Sequence, residues 1–381
     1  MYLCGVMTDI IIGFDAKRIV RNGTGLGSYG RTLVNDLARQ QDLQLRLYAP
    51  DEGRADLRSQ IVERPNVRFS FAGRKGLGAA WWRMSGMVED LRHDGVQLYH
   101  GLTGELPIGI RKSGIRSVVT IHDLIFLRHP EFYHWLDTKI YAWKFRRTLK
   151  EADHIIAISE CTKRDIMEYG HINDDRISVI YQSFSPRFTI SPDTKQQEQI
   201  RMNYGLPRRF ILNVGTIERR KNILLVAKAL KDLPDDLSLV IIGRQTSYTN
   251  EVLDYVNTHS LNQRVYFLHG VPDDHLPSLY AQAEAFVYPS VYEGFGIPII
   301  EAISSGLPVV ACSGSCLEEA GGPDSIYVAP DDVAGMVSAI SQVLKGASGR
   351  EERIERSREY IRRFEGNDVA SQVMEVYRKL V

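Results

Sequence analysis

The chain has 381 residues, too many for one ordinary hydrophobic core and suited to two domains of common size. Hydrophobic residues make up 44% and charged residues 25%, a globular composition that excludes a largely disordered or collagen-like chain. Lysine plus arginine and aspartate plus glutamate both number 47, so no whole-molecule field favours nucleic acid or an acidic membrane, and any such partner needs a local patch.

The segment Met1–Met7 has neither a basic start nor an apolar run of signal-peptide length, and no run approaches the roughly 18 apolar residues of a membrane span. The expected location is the cytosol or the cytoplasmic surface of the membrane, and Met7 is an alternative start because the first strand begins only after Asp9. Cys4, Cys161, Cys312 and Cys316 form no C-x-x-C pair and have no histidine at zinc-finger spacing, which predicts free thiols in a reducing compartment.

Short apolar runs alternate with amphipathic stretches, the pattern of an α/β protein with buried parallel sheets. In the first half the strands are predicted at Ile10–Phe14, Leu43–Tyr48, Val67–Phe71, Gln97–His100, Ser117–Thr120 and His154–Ile158, with a helix over Tyr29–Arg39. These six strands suit one doubly wound sheet. The polar, proline-containing stretch Gln182–Gln199 has no hydrophobic period and is predicted to be an interdomain linker. A second series follows at Phe210–Val214, Leu239–Ile242, Val265–Leu268, Ala285–Tyr288, Pro308–Ala311 and Ser325–Val328. From about Gly366 a terminal helix is predicted, with Val369, Val373, Val376 and Leu380 on one face. The expected organisation is a first domain over residues 1–186, a second over 187–365, and a helix over 366–381 that is free to return to the first domain.

Open parallel sheets bind ligands beyond the carboxyl ends of their strands, so the turns after the strands carry the chemistry. Gly215 to Asn222 follows one strand and precedes the helical stretch Ile223–Leu230. A glycine turn, the cations Arg219, Arg220 and Lys221, and Asn222 as helix cap would place positive charge and free N–H groups where a pyrophosphate fits. A solvated basic turn is the plainer alternative. Glu293 to Glu301 follows Ala285–Tyr288 and Pro289–Ser290; with Pro298 as the first helical residue, Glu301 falls in the first turn and both carboxylates approach one helix N-terminus. Acidic capping accounts for one glutamate there and leaves Gly294-Phe295-Gly296 unexplained. The turn His269–Asp273, which includes Val271, is a weaker candidate for offering backbone groups to a base.

Glu293 to Glu301 resembles the E-x7-E signature of the retaining glycosyltransferases of family 4. The flanks Tyr288-Pro289-Ser290, Ala302–Gly306, Pro308–Ala311 and Glu318–Gly321 resemble that family too, as does Gly215 with Lys221-Asn222. The resemblance implies two Rossmann-like doubly wound parallel-sheet domains facing a cleft, the GT-B arrangement, with a nucleotide sugar held mainly by the second. It implies that Arg220 and Lys221 neutralise the pyrophosphate beside Gly215, that Glu301 binds the ribose, and that Glu293 with the amides of Phe295, Gly296 and Ile297 holds the sugar. One departure stands out: many members carry an arginine directly after the turn glycine, where this chain has Thr216, leaving Arg219 or Arg220 as the second cation. In the first half, Gly23 to Gly30 resembles the family's glycine-rich loop, with Gly25 and Gly27 facing donor phosphates and acceptor, and Thr120 to Asp123 resembles its active-site histidine motif, centred on His122. His100 is a second histidine at a strand end, and Ser159 is accounted for as a helix cap.

Gly25 to Gly30 also spells G-x-G-x-x-G, with Asp51 about twenty residues on, the pattern of a nicotinamide dehydrogenase. That assignment is disfavoured because the first glycine should close the strand directly, and Gly25 comes well after Phe14. A sugar-nucleotide epimerase and a non-catalytic sugar-nucleotide-binding protein also compete with the transferase. No D-x-D-like pair closes a strand, so a metal-independent reaction is expected, with two cations stabilising the leaving diphosphate. GDP-mannose is the first choice of donor, by resemblance to bacterial mannosyltransferases of surface polysaccharide synthesis, with UDP-glucose and UDP-N-acetylglucosamine open. The expected acceptor is a saccharide or a lipid-linked saccharide. Trp81-Trp82-Arg83 and the aromatic, basic stretch Phe132–Lys150 suit either peripheral membrane contact or buried helix faces.

Overall fold

The computed structural model describes residues 9–40, 42–366 and 368–381. The expectations for Cys4 and for Met1 or Met7 as the start lie outside the described residues. The chain forms two compact units, the first running to Gln182 and resuming at Asp368, the second beginning at Ser183.

In the first unit seven strands, β1 (Ile10–Asp15), β2 (Leu43–Ala49), β3 (Val67–Phe71), β4 (Leu98–Gly101), β5 (Arg116–Ile121), β6 (His154–Ala157) and β7 (Ile177–Val179), form a parallel sheet in the order β3-β2-β1-β4-β5-β6-β7. The first six coincide with predicted strands: the central ones are covered on both faces and display little polar side, whereas the edge strand β3 alternates and buries no residue fully. The sheet therefore has one strand more than the six expected: β7 is three residues long with a single buried side chain, too little to show a period. Successive side chains of β1 enter different hydrophobic clusters, Ile12 and Phe14 one and Ile11 the other, so the sheet has helices on both faces.

The glycine-rich stretch expected as a loop is instead the start of the helix Gly25–Leu37. Asn22 Oδ1 accepts from the Thr24 amide at 2.8 Å and holds Thr24 extended, and the helix begins at once. Gly27 is required by a close approach: a Cβ there would lie 1.8 Å from the carbonyl oxygen of Asn22. The terminal helix Val369–Arg378 packs Val373, Val376 and Tyr377 against Ile12, Leu33 and Leu37 of the first unit. His100 is fully buried behind it, with Nδ1 2.6 Å from the Tyr377 hydroxyl and Nε2 2.8 Å from Thr120 Oγ1. Burial, with His122 adding to it, pushes this imidazole down to about 3. His100 is thus a neutral structural tie and not an open strand-end histidine.

The second unit holds β8 (Arg209–Val214), β9 (Leu237–Ile242), β10 (Val265–Leu268), β11 (Ala285–Tyr288), β12 (Val309–Cys312) and β13 (Ile326–Val328), parallel in the order β10-β9-β8-β11-β12-β13. The predicted linker is largely structured: Pro186–Thr189 is a 3-10 turn and Thr194–Tyr204 a helix capped by Asp193 and stopped by Gly205 at φ +57°. That helix escapes a periodicity search because only Ile200 is buried. Strand order reverses between β1 and β4 in one sheet and between β8 and β11 in the other, which marks where each unit can bind a ligand.

Candidate active site

At the second switch point Asn213 Nδ2 donates to the Val287 carbonyl at 2.8 Å and ties β8 to β11 just before both strands end. Gly215, at φ +153°, then turns the chain into the 3-10 segment Arg219–Lys221. Asn222 does not cap the next helix, Ile223–Ala229, through its side chain as expected. It takes the left-handed conformation (φ +53°) and its side-chain amide donates to the Pro330 carbonyl at 2.8 Å. The strain of that conformation is tolerated because asparagine visits it more readily than most residues.

The turn places Lys221 and Arg220 against Glu293, which follows β11. Lys221 Nζ pairs with Glu293 Oε1 and donates to the Tyr288 hydroxyl at 2.7 Å; Arg220 Nη1 lies 2.8 Å from Glu293 Oε2 and donates to the Tyr292 carbonyl at 2.6 Å. The cluster is mostly covered, with side-chain exposures of 15%, 16% and 13% for Lys221, Arg220 and Glu293. Burial alone would raise the Glu293 carboxyl, but Lys221 and Arg220 outweigh it and hold it down to about 2. Burial opposes the Lys221 ammonium in turn, and Glu293 overcomes that and raises its pKa. Arg219 faces elsewhere, paired with Glu251 at 65% exposure, so the second cation beside Glu293 is Arg220.

The two glutamates do not share one helix N-terminus. The helix runs Ile297–Ser304, so Pro298 is its second residue and Glu301 its fifth, beyond the first turn, while Glu293 is drawn to the cations. Their environments push them apart. Burial carries the Glu301 carboxyl up to about 7, with Arg187 opposing, and its Oε2 accepts from the Tyr280 hydroxyl at 3.3 Å. Gly296, at φ +127°, makes the bend before Ile297, and the Cys316 thiol donates to the carbonyls of Phe295 and Glu293 and pins the loop between them. Val271 is half-buried in the turn after the edge strand β10, two strands away from β8 in the sheet order, and Asp273 of the same turn pairs with Arg187, which acts on Glu301.

In the first unit His122 follows β5. Its Nδ1 accepts from Gln182 Nε2 at 3.1 Å, so Nε2 carries the proton and donates to the Leu102 carbonyl at 2.9 Å. Burial pushes the imidazole down to about 4 against the pull of that carbonyl, leaving it neutral at ordinary pH. The ring of Tyr29, from the glycine-led helix, packs edge-on against it at 4.9 Å, and the Tyr29 hydroxyl lies 3.2 Å from Thr120 Oγ1. Gly25, at the head of the helix, has open space where a side chain would be.

Two family models cover most of the chain: Glycosyltransferase Family 4 matches residues 23–186 and Glycosyl transferases group 1 matches residues 196–360. The chain is a glycosyltransferase of the family 4 type. It is 29% identical over 377 residues to O-antigen chain mannosyltransferase B of Escherichia coli, a match covering 94% of this chain and 96% of that one. With O-antigen chain mannosyltransferase RfbU of Salmonella typhimurium it shares 29% identity over 257 residues, 68% of each chain. The fold resembles the sucrose-phosphate synthase of Thermosynechococcus elongatus, with a TM-score of 0.77 at 20% identity over 97% of this chain and 99% of that one. Both sheets are those of the GT-B architecture.

Some of the glycosyltransferase's site neighbours carry no signal in the sequence. Gln182 lies in the predicted linker, Tyr29 inside a glycine motif, and Cys316 among thiols whose spacing says only that they are free. Tyr288 belongs to the flanking motif, and its position just before Pro289 at a strand end is the signal that it faces the site.

Proposed function

We propose that this glycosyltransferase is a retaining mannosyltransferase that moves mannose from GDP-mannose to a saccharide or lipid-linked saccharide acceptor. The observation that carries this reading is the Arg220–Lys221–Glu293 cluster at the β8/β11 switch point, and the O-antigen mannosyltransferase names of two relatives favour mannose. As the bond from the anomeric carbon to the diphosphate oxygen breaks, charge grows on the leaving group, and Lys221 and Arg220 stabilise it without a metal. The acceptor hydroxyl forms the new bond on the face being vacated and its proton passes to the departing phosphate oxygen. Glu293 and the first turn of the helix Ile297–Ser304, with Phe295 and Gly296, hold the sugar; Gly215 gives the phosphates room and Glu301 accepts from the ribose. Gly25 keeps the first-unit helix terminus open to phosphate or acceptor while Gly27 lets that turn pack against the Asn22 carbonyl, Val271 contributes backbone groups to the base, and a sugar hydroxyl at His122 takes the place of Gln182.

Catalysis is proposed on the cytoplasmic side of the membrane. Among the described residues no helix is long and apolar enough to cross a bilayer, while Trp81, Trp135, Ile140 and Trp143 are 45–60% exposed on one unit and suit peripheral contact. Trp82 belongs to the core: it is 2% exposed and donates to Asp90 at 2.6 Å.

Thermal shift with a panel of nucleoside diphosphates tests the donor, because a ligand present at about a hundred times its dissociation constant adds about 2.7 kcal/mol. GDP is expected to stabilise most, and a larger shift with UDP would replace the guanine assignment. Transfer is expected to persist in a chelator; loss restored by magnesium or manganese would overturn the metal-independent reading. Glu301 provides a pH signature. Its folded carboxyl stays protonated until about pH 7, and only the ionised form accepts two hydroxyl donors. Nucleoside diphosphate affinity is therefore expected to rise about tenfold from pH 6 to pH 8. Calorimetry against Glu301→Gln, which reports the nucleotide's own titration, checks it, and parallel profiles would remove Glu301 from the ribose site.

A further inference from the structure

Tyr288, the last residue of β11, closes a column of stacked rings in the second unit. Tyr280 lies 5.4 Å from Phe286 and Phe286 lies 5.7 Å from Tyr288, with ring planes 24° and 20° apart. All three rings are buried, and the Tyr288 residue is only 3% exposed. The two hydroxyls of the column are used differently. Tyr280 gives its proton to Glu301 Oε2. Tyr288 instead accepts from Lys221 Nζ at 2.7 Å, and its own proton has no acceptor among the described residues. Packing does not account for that oxygen, because Phe286 fills the same column without one.

The surroundings of the unspent proton suit an anion. Lys221 commits two of its three protons, to Tyr288 and to Glu293, and keeps the third. Gly215 leaves the neighbouring space clear, since a side chain there would begin 4.0 Å from Lys221 Nζ. Burial, with Glu293 adding to it, pushes the Tyr288 hydroxyl up to about 12 against the pull of Lys221, so at neutral pH the proton stays on the oxygen. A hydroxyl that accepts from an ammonium is polarised by it and donates more strongly in turn. Buried polar groups normally find partners, and here the missing one is an acceptor beside Lys221.

We infer that Tyr288 is a further catalytic residue, its hydroxyl accepting from Lys221 and donating a hydrogen bond to the terminal phosphate of the departing nucleoside diphosphate. The tyrosine keeps its proton throughout, and the acceptor's proton still passes to the departing oxygen. The inference rests on the proposed transfer from a nucleoside-diphosphate sugar and adds a neutral donor to the two cations at that phosphate.

Tyr288→Phe tests it, because the substitution removes the oxygen and keeps the ring in its column. The kcat of transfer is expected to fall by about tenfold to a hundredfold, with a smaller change in the donor KM, since the hydrogen bond strengthens as charge grows on the phosphate. In calorimetry GDP affinity is expected to fall by about fivefold and GMP affinity to stay level, because GMP lacks the phosphate that is touched. The melting temperature without ligand verifies that the variant folds. Lys221→Met separates contact with phosphate from support of Lys221: in that background Y288F is expected to cost at least about another threefold in kcat. A silent second substitution would leave Tyr288 only as a holder of Lys221, and an unchanged kcat in Y288F, or equal losses of GDP and GMP affinity, would remove it from the phosphate; each overturns the inference. GDP affinity that falls in K221M and not in Y288F would overturn the role of Tyr288 alone and leave the donor reading standing. Failure of every nucleoside diphosphate to bind the parent protein would overturn both.

Discussion

Glu293→Ala is expected to lower the transfer rate by about a hundred- to a thousandfold while making the protein less stable and its response to nucleoside diphosphate larger. The first effect is that of removing one preorganised polar group from a reacting centre. The second follows from the cluster itself: Lys221 and Arg220 are mostly covered and share this carboxylate, so deleting it leaves two cations short of counter-charge. Breaking a buried pair costs about 3–5 kcal/mol, and the residual exposure here argues for the lower end. At about 3 kcal/mol the melting temperature falls by roughly 5–10 °C. A diphosphate supplies the missing negative charge, so it restores more stability to the variant than to the parent protein. Melting curves with and without nucleoside diphosphate, alongside initial rates, read all three effects; an unaltered rate would exclude Glu293 from catalysis. The pH dependence has a fixed sign. Because the folded carboxyl titrates at about 2, below its ordinary value of 4.5, its contribution is present above pH 4.5 and is lost as pH falls through 2, and the variant lacks that acid limb.

His122→Ala is expected to cut transfer by roughly a hundredfold and to leave nucleoside diphosphate affinity unchanged, because the proposed nucleotide ligands Arg220, Lys221 and Glu301 belong to the other unit. The imidazole is enclosed by Gln182, Leu102 and Tyr29, so some loss of stability, about 1–2 kcal/mol, accompanies the change. Gln182→Ala separates the two roles. It frees Nδ1 of His122 without removing the ring, and transfer is expected to survive it far better than it survives His122→Ala. Equal losses in both variants, matched by equal falls in melting temperature, would make His122 a structural residue. With a pKa near 4, His122 stays neutral between pH 6 and 9, so its contribution to the rate is level across that range.

The sequence by itself determined twelve of the thirteen strands among the described residues and the residue types at the second switch point. Parallel strands buried on both faces are apolar nearly throughout, so Ile10–Phe14 and Ala285–Tyr288 announce themselves, and Gly215, Lys221, Glu293 and Gly296 follow strand ends at the switch point, where an open sheet can bind a ligand. Weakly apolar elements were silent: β7 and the helix Thr194–Tyr204 each bury one residue. Only the tertiary structure decided which charges meet. Arg219 and Arg220 are neighbours in the chain, yet one pairs with Glu251 in solvent and the other with Glu293, because the 3-10 turn sends them in different directions. Local spacing placed Glu293 and Glu301 together, whereas burial beside Tyr280 and pairing with Lys221 set one carboxyl near 7 and the other near 2. Long-range ties were equally invisible. Tyr377 reaches His100 across 277 residues and Gln182 reaches His122 across 60, since a hydrogen bond needs proximity in space and leaves no period in the chain.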